Sequence, residues 1–429
     1  MSDTNVSFVR HDQIPPSPPP ARETGVVKWM RENLFSGWVN SILTLLALYF
    51  IYKIIAGSAP WFYNGVWGTS NLAECREILA GKTGACFSVL QDRWAQMLFG
   101  IAYPAEGYWR PTLAFVLLFF CVAPVLFSKL PRQFLVLTAI YPFLAYWLIW
   151  GGTIMMPIFV AIGFVAAYYA FIEGERRFGF AAGLGIGVLT AAVVWWIGGL
   201  IAGGMSNFIA LPEVASRDMG GFMLNMILGT ICVSLSLPLG IVLALGRQSN
   251  MPIIKGICVV FIEFVRGVPL ITLLFVANVV LAYFFPPGTN LDLILRVIIM
   301  ITMFSAAYIA EVIRGGLAAL PKGQYEAADS LGLDYPQAMR LIILPQALKI
   351  SIPGIVNVAV GLFKDTTLVS VISMFDLVGA IRGPILSSTN WTGIYWEAFG
   401  FAALLFFVIC YGISQYSQWL ERQLATDHR

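Results

Sequence analysis

Long apolar runs separated by short polar intervals set the rhythm of the chain from Gly37 onward. The runs that approach the length of a membrane span are Gly37–Gly57, Pro111–Ser128, Phe134–Trp150, Ile154–Ile172, Phe180–Ala202, Gly221–Gly246, Ile257–Phe285, Leu291–Ile313, Ile350–Val371 and Tyr395–Trp419. A hydrocarbon core about 30 Å thick takes roughly 20 helical residues, so the shorter runs must extend or tilt. Backbone groups in lipid have to bond within their own segment, which makes each run a helix. The pattern predicts an all-α polytopic membrane protein with about ten transmembrane helices.

The polar intervals add order and orientation. Residues 1–37 include IPPSPPP and no apolar periodicity, and predict a disordered tail, locally polyproline. Small residues at Ala56–Ala59 imitate a signal-peptide cleavage site. The preceding polar region is too long for that, and the run is nearly a full span, so an uncleaved anchor fits better. Lys28, Arg31, Lys129, Arg132, Arg176, Arg177, Arg247, Lys255, Lys322, Arg340, Lys349 and Arg422 all fall on one side of such a topology. The positive-inside rule makes that side cytoplasmic and places both termini there. The Ser58–Arg110 loop then lies outside despite Arg76, Lys82 and Arg93, and long loops obey the rule poorly.

Composition supports the class. Of 429 residues, 59% are hydrophobic and 11% charged, with a mean hydropathy of +0.79, whereas soluble domains carry about 25% charged residues. A net charge of +3 is too small to argue for nucleic acid. The two histidines, His11 and His428, lie in the polar tails, which argues against haem or a His-ligated metal centre within the membrane. No metal is expected. Cys121, Cys232, Cys258 and Cys410 fall in apolar runs and read as packing residues. Cys75 and Cys86 share the outer loop, where a disulfide and two free thiols are both open readings.

One polar stretch breaks the membrane pattern: EAADSLGLDYPQAMRLIILP, Glu326–Pro345. Pro321 suits the first turn of a helix, where its missing N–H costs nothing. Gly332 can take the left-handed conformation that ends it. Asp334 can cap a second helix, with Pro336 in its first turn and Gln337 placed for a capping box. These features predict two short helices joined at a glycine and held outside the bilayer. From Glu326 the stretch reads EAA, three residues, Gly332, nine residues, Ile342, one residue, Leu344 and Pro345. This resembles the EAA motif of ABC importer permeases at every defined position. The resemblance implies that Glu326, Ala327, Ala328, Gly332, Ile342, Leu344 and Pro345 belong to coupling helices that dock on a cytoplasmic ATP-binding subunit.

Neighbouring segments narrow the resemblance. YIAEVIRGGLAALPKGQYEAA (Tyr308–Ala328), EFVRGVPLI (Glu263–Ile271) and LFKDTTLVSVIS (Leu362–Ser373) look like segments of permeases for polar amino acids, with Thr367 where serine is commoner. Together they cover roughly Gly220 to Arg422. The long N-terminal half is similar to general L-amino-acid permeases of the M type. The implied fold is a type I (MetI-like) transmembrane domain formed by the C-terminal five spans. The implied organisation is a cytoplasmic tail (1–37), an N-terminal membrane extension (38–215) with a periplasmic loop at about 58–110, a permease core (216–422) with coupling helices at about 321–346, and a short tail (423–429).

Charges inside spans need a reason, because ionisable groups near a bilayer centre are costly. Lys364 and Asp365 lie roughly 21 Å into their span at 1.5 Å per residue. With Thr366 and Thr367 they either line a translocation path, where a zwitterion offers both charges, or form an ion pair or helix break that fixes a gate. Glu311 and Arg314 are spaced to pair on one helix face, as are Glu263 and Arg266. Asp376 and Glu397, near outer ends of spans, are expected in solvated positions or against a partner. Gly81–Lys82–Thr83 is a fragment of a phosphate-binding loop, but Arg76 stands where that loop needs glycine.

The resemblance thus implies a non-enzymatic subunit of a binding-protein-dependent ABC importer of L-amino acids in the bacterial inner membrane. Its implied partners are a dimer of ATP-binding subunits carrying ATP and Mg, a second permease subunit of the Q type, a periplasmic amino-acid-binding protein and the lipid bilayer; the chain itself holds no cofactor. Another small polar solute such as an opine, an ion-coupled secondary transporter and a membrane scaffold remain as alternatives.

Overall fold

The computed structural model describes residues 25–127, 129–205, 208–280, 283 and 291–425. The polyproline stretch, His11, His428 and the loop Phe285–Asn290 lie outside the described residues. The chain divides into two compact units, one holding the residues up to Thr69 with Glu74–Phe87, the other Ser70–Ala73 with Ser88–Arg429.

In the first unit, α1 (Gly25–Asn33) is helical although the expected tail extends through it. That expectation rests on IPPSPPP, the charges and the absence of apolar periodicity, and the prolines end at Pro20. Beyond them Val26–Asn33 contains no helix breaker, and Lys28 meets Glu32 one turn on at 3.8 Å. Helix α2 (Trp38–Tyr63) covers the first apolar run and buries none of its residues. After it, Val66 pairs with Cys86 in an isolated bridge. The Cys75 and Cys86 sulfurs are bonded, with Cα atoms 6.1 Å apart; Cys75 belongs to α3 (Leu72–Leu79).

The second unit contains α4 (Ser88–Phe99), α5 (Trp109–Leu126), α6 (Leu135–Trp150), α7 (Met155–Phe178), α8 (Phe180–Gly204), α9 (Gly221–Gln248), α10 (Pro252–Gly267), α11 (Leu270–Val279) and α12 (Leu293–Ala318). It continues with α13 (Lys322–Ser330), α14 (Tyr335–Ala338), α15 (Leu344–Asp365), α16 (Leu377–Ala380) and α17 (Tyr395–Ala425). A two-stranded ribbon pairs Gly152–Thr153 with Ala210–Leu211. Among the described residues nine helices are long and apolar enough to span a membrane, or ten if the bent pair α10–α11 counts as one.

That pair corrects the expected span Ile257–Phe285. The chain bends by 104° between α10 and α11. Pro269 has no N–H to continue the ladder and disfavours helical geometry in the residue before it; Val268 is extended at φ −108°, ψ 133°. Helix α10 is correspondingly two-sided, with Ile262 and Val265 buried and Ile257, Val260 and Phe264 exposed.

Helix α9 is the axis of the core. Leu224, Leu228 and Cys232 on it pack with Leu274, Val297, Ile301, Leu362 and Val369 in one buried cluster. Further along, Ala244 joins Ile262, Ile309, Ile313, Ile343 and Ala347 in a second. The expected outer loop is partly core as well. Val89 and Met97 of α4 are fully buried, and the wholly buried Trp391 donates through Nε1 to Asp92 Oδ2 at 2.7 Å. Arg93 lies on the same helix face as Val89 and Met97 and is half-buried, and it pairs with Asp92 at 2.9 Å. Trp391→Phe keeps the packing and removes the bond to a carboxylate, so it should cost about 1.5 kcal/mol, read as a lower midpoint of denaturation in detergent.

Arg110, 3% exposed, shows how the N-terminal helices are closed. Its guanidinium donates to the carbonyls of Leu148 (2.7 Å) and Pro212 (2.8 Å), supplying donors at the C-terminal end of α6.

Candidate functional site

The polar stretch forms a knuckle of two short helices. Helix α13 ends where Gly332 adopts φ +70°, with Leu333 N–H bonded to Ala328 O (3.3 Å) and Gly332 N–H to Asp329 O (2.9 Å). This double bond pattern is a Schellman closure, which glycine makes without a Cβ penalty. Asp334 then accepts from Gln337 N–H at 2.8 Å, and the Gln337 side chain returns to the Asp334 N–H, completing a capping box. A π-helical turn, Met339–Ile343, follows. Pro345 offers no N–H to the Leu341 carbonyl four residues back, so the ladder slips by one residue there.

The knuckle is fixed from below and apolar above. Ala328 is fully buried, while Tyr325 and Ile342 pack on the cluster of Ile309, Ile313 and Leu317. Gln346 Nε2 donates to Gln324 Oε1 at 3.0 Å, tying α15 to α13. By contrast Leu331 is 73% exposed, Tyr335 60% and Leu341 64%. Glu326, Ala327, Gly332 and Pro345 are exposed, and Leu344 is half-buried. Beside α14 an open groove of about 490 Å³ is lined by Leu245, Pro336, Met339, Leu344, Pro345 and Leu348. A rigid, capped pair of helices presenting large apolar side chains is suited to being gripped by another protein.

Earlier on α12 a charged cluster joins three helices. Glu311 on α12 binds Arg314 through Nε at 2.7 Å, as the spacing of the two residues predicts. It also meets Arg247 of α9 at 3.2 Å and Arg266 of α10 at 3.6 Å. The expected Glu263–Arg266 pair is replaced. Glu263 binds Arg247 at 2.8 Å, and Arg266 lies 5.5 Å from the Tyr308 ring. Packing of α9 and α12 against α10 brings closer partners than the helix offers itself. Sequence spacing carries no signal for contacts of this kind.

At the far end of α15, Lys364 is exposed and Asp365 half-buried. Among the described residues neither has an ion-pair partner within 4.0 Å. Thr367 is half-buried, and its hydroxyl donates to Lys364 O at 2.9 Å. Thr366 is fully buried. The helix tightens into a 3₁₀ segment, Thr366–Ile372, and reverses at Ser373, which is left-handed at φ 67°. Asp376, expected near solvent, is fully buried instead; it caps α16 by accepting from Gly379 N–H (2.9 Å) and Val378 N–H (3.2 Å). Burial pushes its carboxyl up to about 6, against the lowering pull of those amides and of Asn225. Glu397, expected in the same kind of position, is also buried.

Residues 236–425 match the family described as binding-protein-dependent transport system inner membrane component. Over 437 residues the chain is 52% identical to the glutamate/glutamine/aspartate/asparagine transport system permease protein BztC of Rhodobacter capsulatus, covering 100% of both chains. The chain belongs to the amino-acid ABC transporter permeases. The permease is also 36% identical over 416 residues to the inner membrane amino-acid ABC transporter permease protein YhdY of Escherichia coli, covering 96% of each. A crystal structure of an amino acid ABC transporter shares 32% identity over 47% of this permease and 92% of that chain, with a TM-score of 0.42. The permease is thus a multi-pass membrane subunit of a binding-protein-dependent importer.

Proposed function

We propose that this permease carries L-amino acids, acidic and amide side chains among them, into the cytoplasm of a bacterium. The substrate class is supported by BztC, a glutamate/glutamine/aspartate/asparagine permease, and more broadly by YhdY, an amino-acid permease. ATP is hydrolysed with Mg on a separate dimer of ATP-binding subunits docked on α13–α14, and a loaded periplasmic binding protein delivers the solute between this chain and a second, Q-type permease. In this reading the knuckle and both termini face the cytoplasm. The core runs over 216–422, residues 38–215 form the N-terminal extension, and the Cys75–Cys86 bond sits in the oxidising periplasm. Lys364, Asp365 and Thr367 lie along the path.

The observation that carries the docking is the apolar surface of Leu331, Tyr335 and Leu341 around a joint closed on both sides, by the Schellman bonds of α13 and the capping box of α14. Closure of the ATPase dimer must favour one state of the permease through differential contacts, and a knuckle rigid enough to transmit force supplies them.

The test is ATP hydrolysis by the assembled complex in lipid, with and without binding protein loaded with L-glutamate or L-glutamine. A Gly332→Val variant runs beside it. No atom lies within 4 Å of a Cβ placed at Gly332, so the substitution acts only through the left-handed backbone. That conformation costs a β-branched residue about 1–2 kcal/mol or more. Stimulation by loaded binding protein, lost in Gly332→Val, is the expected result. Transport that follows an ion gradient without any ATPase would overturn the reading, and stimulation by an opine alone would replace its substrate class.

A further inference from the structure

Asn225, Thr366 and Asp376 form a sealed polar knot in an otherwise apolar core. All three are fully buried. Asn225 Nδ2, on α9, donates to Thr366 Oγ1 at 2.9 Å and to Asp376 Oδ2 at 3.2 Å. Its Oδ1 accepts from Leu377 N–H at 3.1 Å. The Thr366 hydroxyl donates to Phe363 O at 2.7 Å. One side chain of α9 therefore grips both ends of the reversing loop Thr366–Asp376, and Gly221 N–H adds a bond to Phe375 O at 2.7 Å.

The bonds are directional. Leu377 N–H occupies the Asn225 carbonyl, so the Asn225 amide nitrogen must face the other two groups. Every recorded contact on the Asp376 carboxylate is a donor. A fully satisfied buried network of this kind selects one geometry. Burying a carboxylate costs more than capping a four-residue helix returns, so stability alone does not account for an acid here. The loop also directly follows Lys364 and Asp365, at the point where α15 changes pitch.

We propose that Asn225 and Asp376 are positioning residues for translocation, holding the Thr366–Asp376 loop in the register that presents Lys364 and Thr367 to the transported amino acid. The inference rests on the importer reading above and on Lys364, Asp365 and Thr367 lying along its path.

The experiment measures uptake of labelled L-glutamine against concentration by the full complex in proteoliposomes, with L-glutamate as competitor. Asp376→Asn places an amide NH₂ against donors. It should raise the half-saturating concentration at least fivefold and change the glutamine-to-glutamate preference by a similar factor. Thr366→Val, nearly isosteric, should shift half-saturation threefold or more, with Thr366→Ser restoring it; this pair decides the matter if Asp376→Asn fails to assemble. A purely structural role would lower the yield of complex and leave half-saturation and preference alone. That result, or a Thr366→Ser variant no better than Thr366→Val, overturns the proposal. A wild-type complex that takes up no amino acid overturns the importer reading itself, and this inference with it.

Discussion

Replacing Glu311 with glutamine will lower the permease's midpoint of thermal denaturation and weaken the response of ATP hydrolysis to substrate. Three guanidiniums, from Arg247, Arg266 and Arg314, converge on this one carboxylate. Removing one partner from a buried ion pair costs about 3–5 kcal/mol. Glu311 keeps 21% of its side chain exposed, and screening brings the expected loss to about 2–3 kcal/mol. Arg247 would retain Glu263, whereas Arg314 would lose its recorded ion-pair partner. Glu263→Gln is the control. Glu263 is 54% exposed, so its loss should cost about 0–1 kcal/mol. Equal effects of the two substitutions would show that Glu311 is not the hub.

The functional consequence follows from where the cluster sits. It joins α9, α10 and α12 a few residues before α12 leads into the knuckle. Any movement passed from α13–α14 into the spans has to move these three helices together or break the cluster. A complex carrying Glu311→Gln should therefore hydrolyse ATP with a smaller gain from loaded binding protein, even at temperatures where it remains folded.

What the sequence made legible depended on range along the chain. Helical runs, the glycine at the end of α13 and the Asp334–Gln337 capping box are local, so spacing alone revealed them. The break at Val268–Pro269 was also local. The run is apolar enough despite Glu263 and Arg266 to read as one span, and hydropathy hides a bend that proline chemistry announces. Contacts across helices left no such trace. Asp92 and Trp391 are 299 residues apart, Asn225 and Asp376 are 151 apart, and Arg247 reaches Glu311 over 64. Asp376 looked like an end-of-span acid because only tertiary packing shows that it is sealed in. Helix α4 is too short to register as a span, so the sequence shows only an outer segment there, and its packing against Trp391 is a long-range contact. A deletion meant to separate a scaffold role of the outer loop from transport should accordingly stop at Phe87, where the first unit ends.

The largest loss is expected from Gly221→Ala. Gly221 opens α9 at φ +60°, a left-handed conformation that costs alanine about 1–2 kcal/mol. A Cβ there would lie 2.5 Å from Met97 O, 2.8 Å from Gly100 N and 2.9 Å from Leu98 C. All three are backbone atoms, so no side chain can turn away to make room. The neighbouring glycines close the same contact from other directions. A Cβ at Gly100 would meet Gly220 Cα at 2.7 Å, and one at Gly220 would meet Phe375 O at 2.6 Å. Overpacking adds about 1–3 kcal/mol, for a total of about 2–5 kcal/mol. Gly256→Ala, on an open face of α10 with no atom near its Cβ, should by contrast be neutral or stabilising by about 0.5–1 kcal/mol. The damage from Gly221→Ala should not stop at stability, because the Gly221 N–H also holds Phe375 O beside the buried Asp376. Forcing α4 away from α9 pulls on the loop that Asn225 grips. Protease sensitivity should rise around residues 97–100 and 373–376 together. Cleavage confined to the α4 side would mean that the loop stays anchored through Asn225 alone.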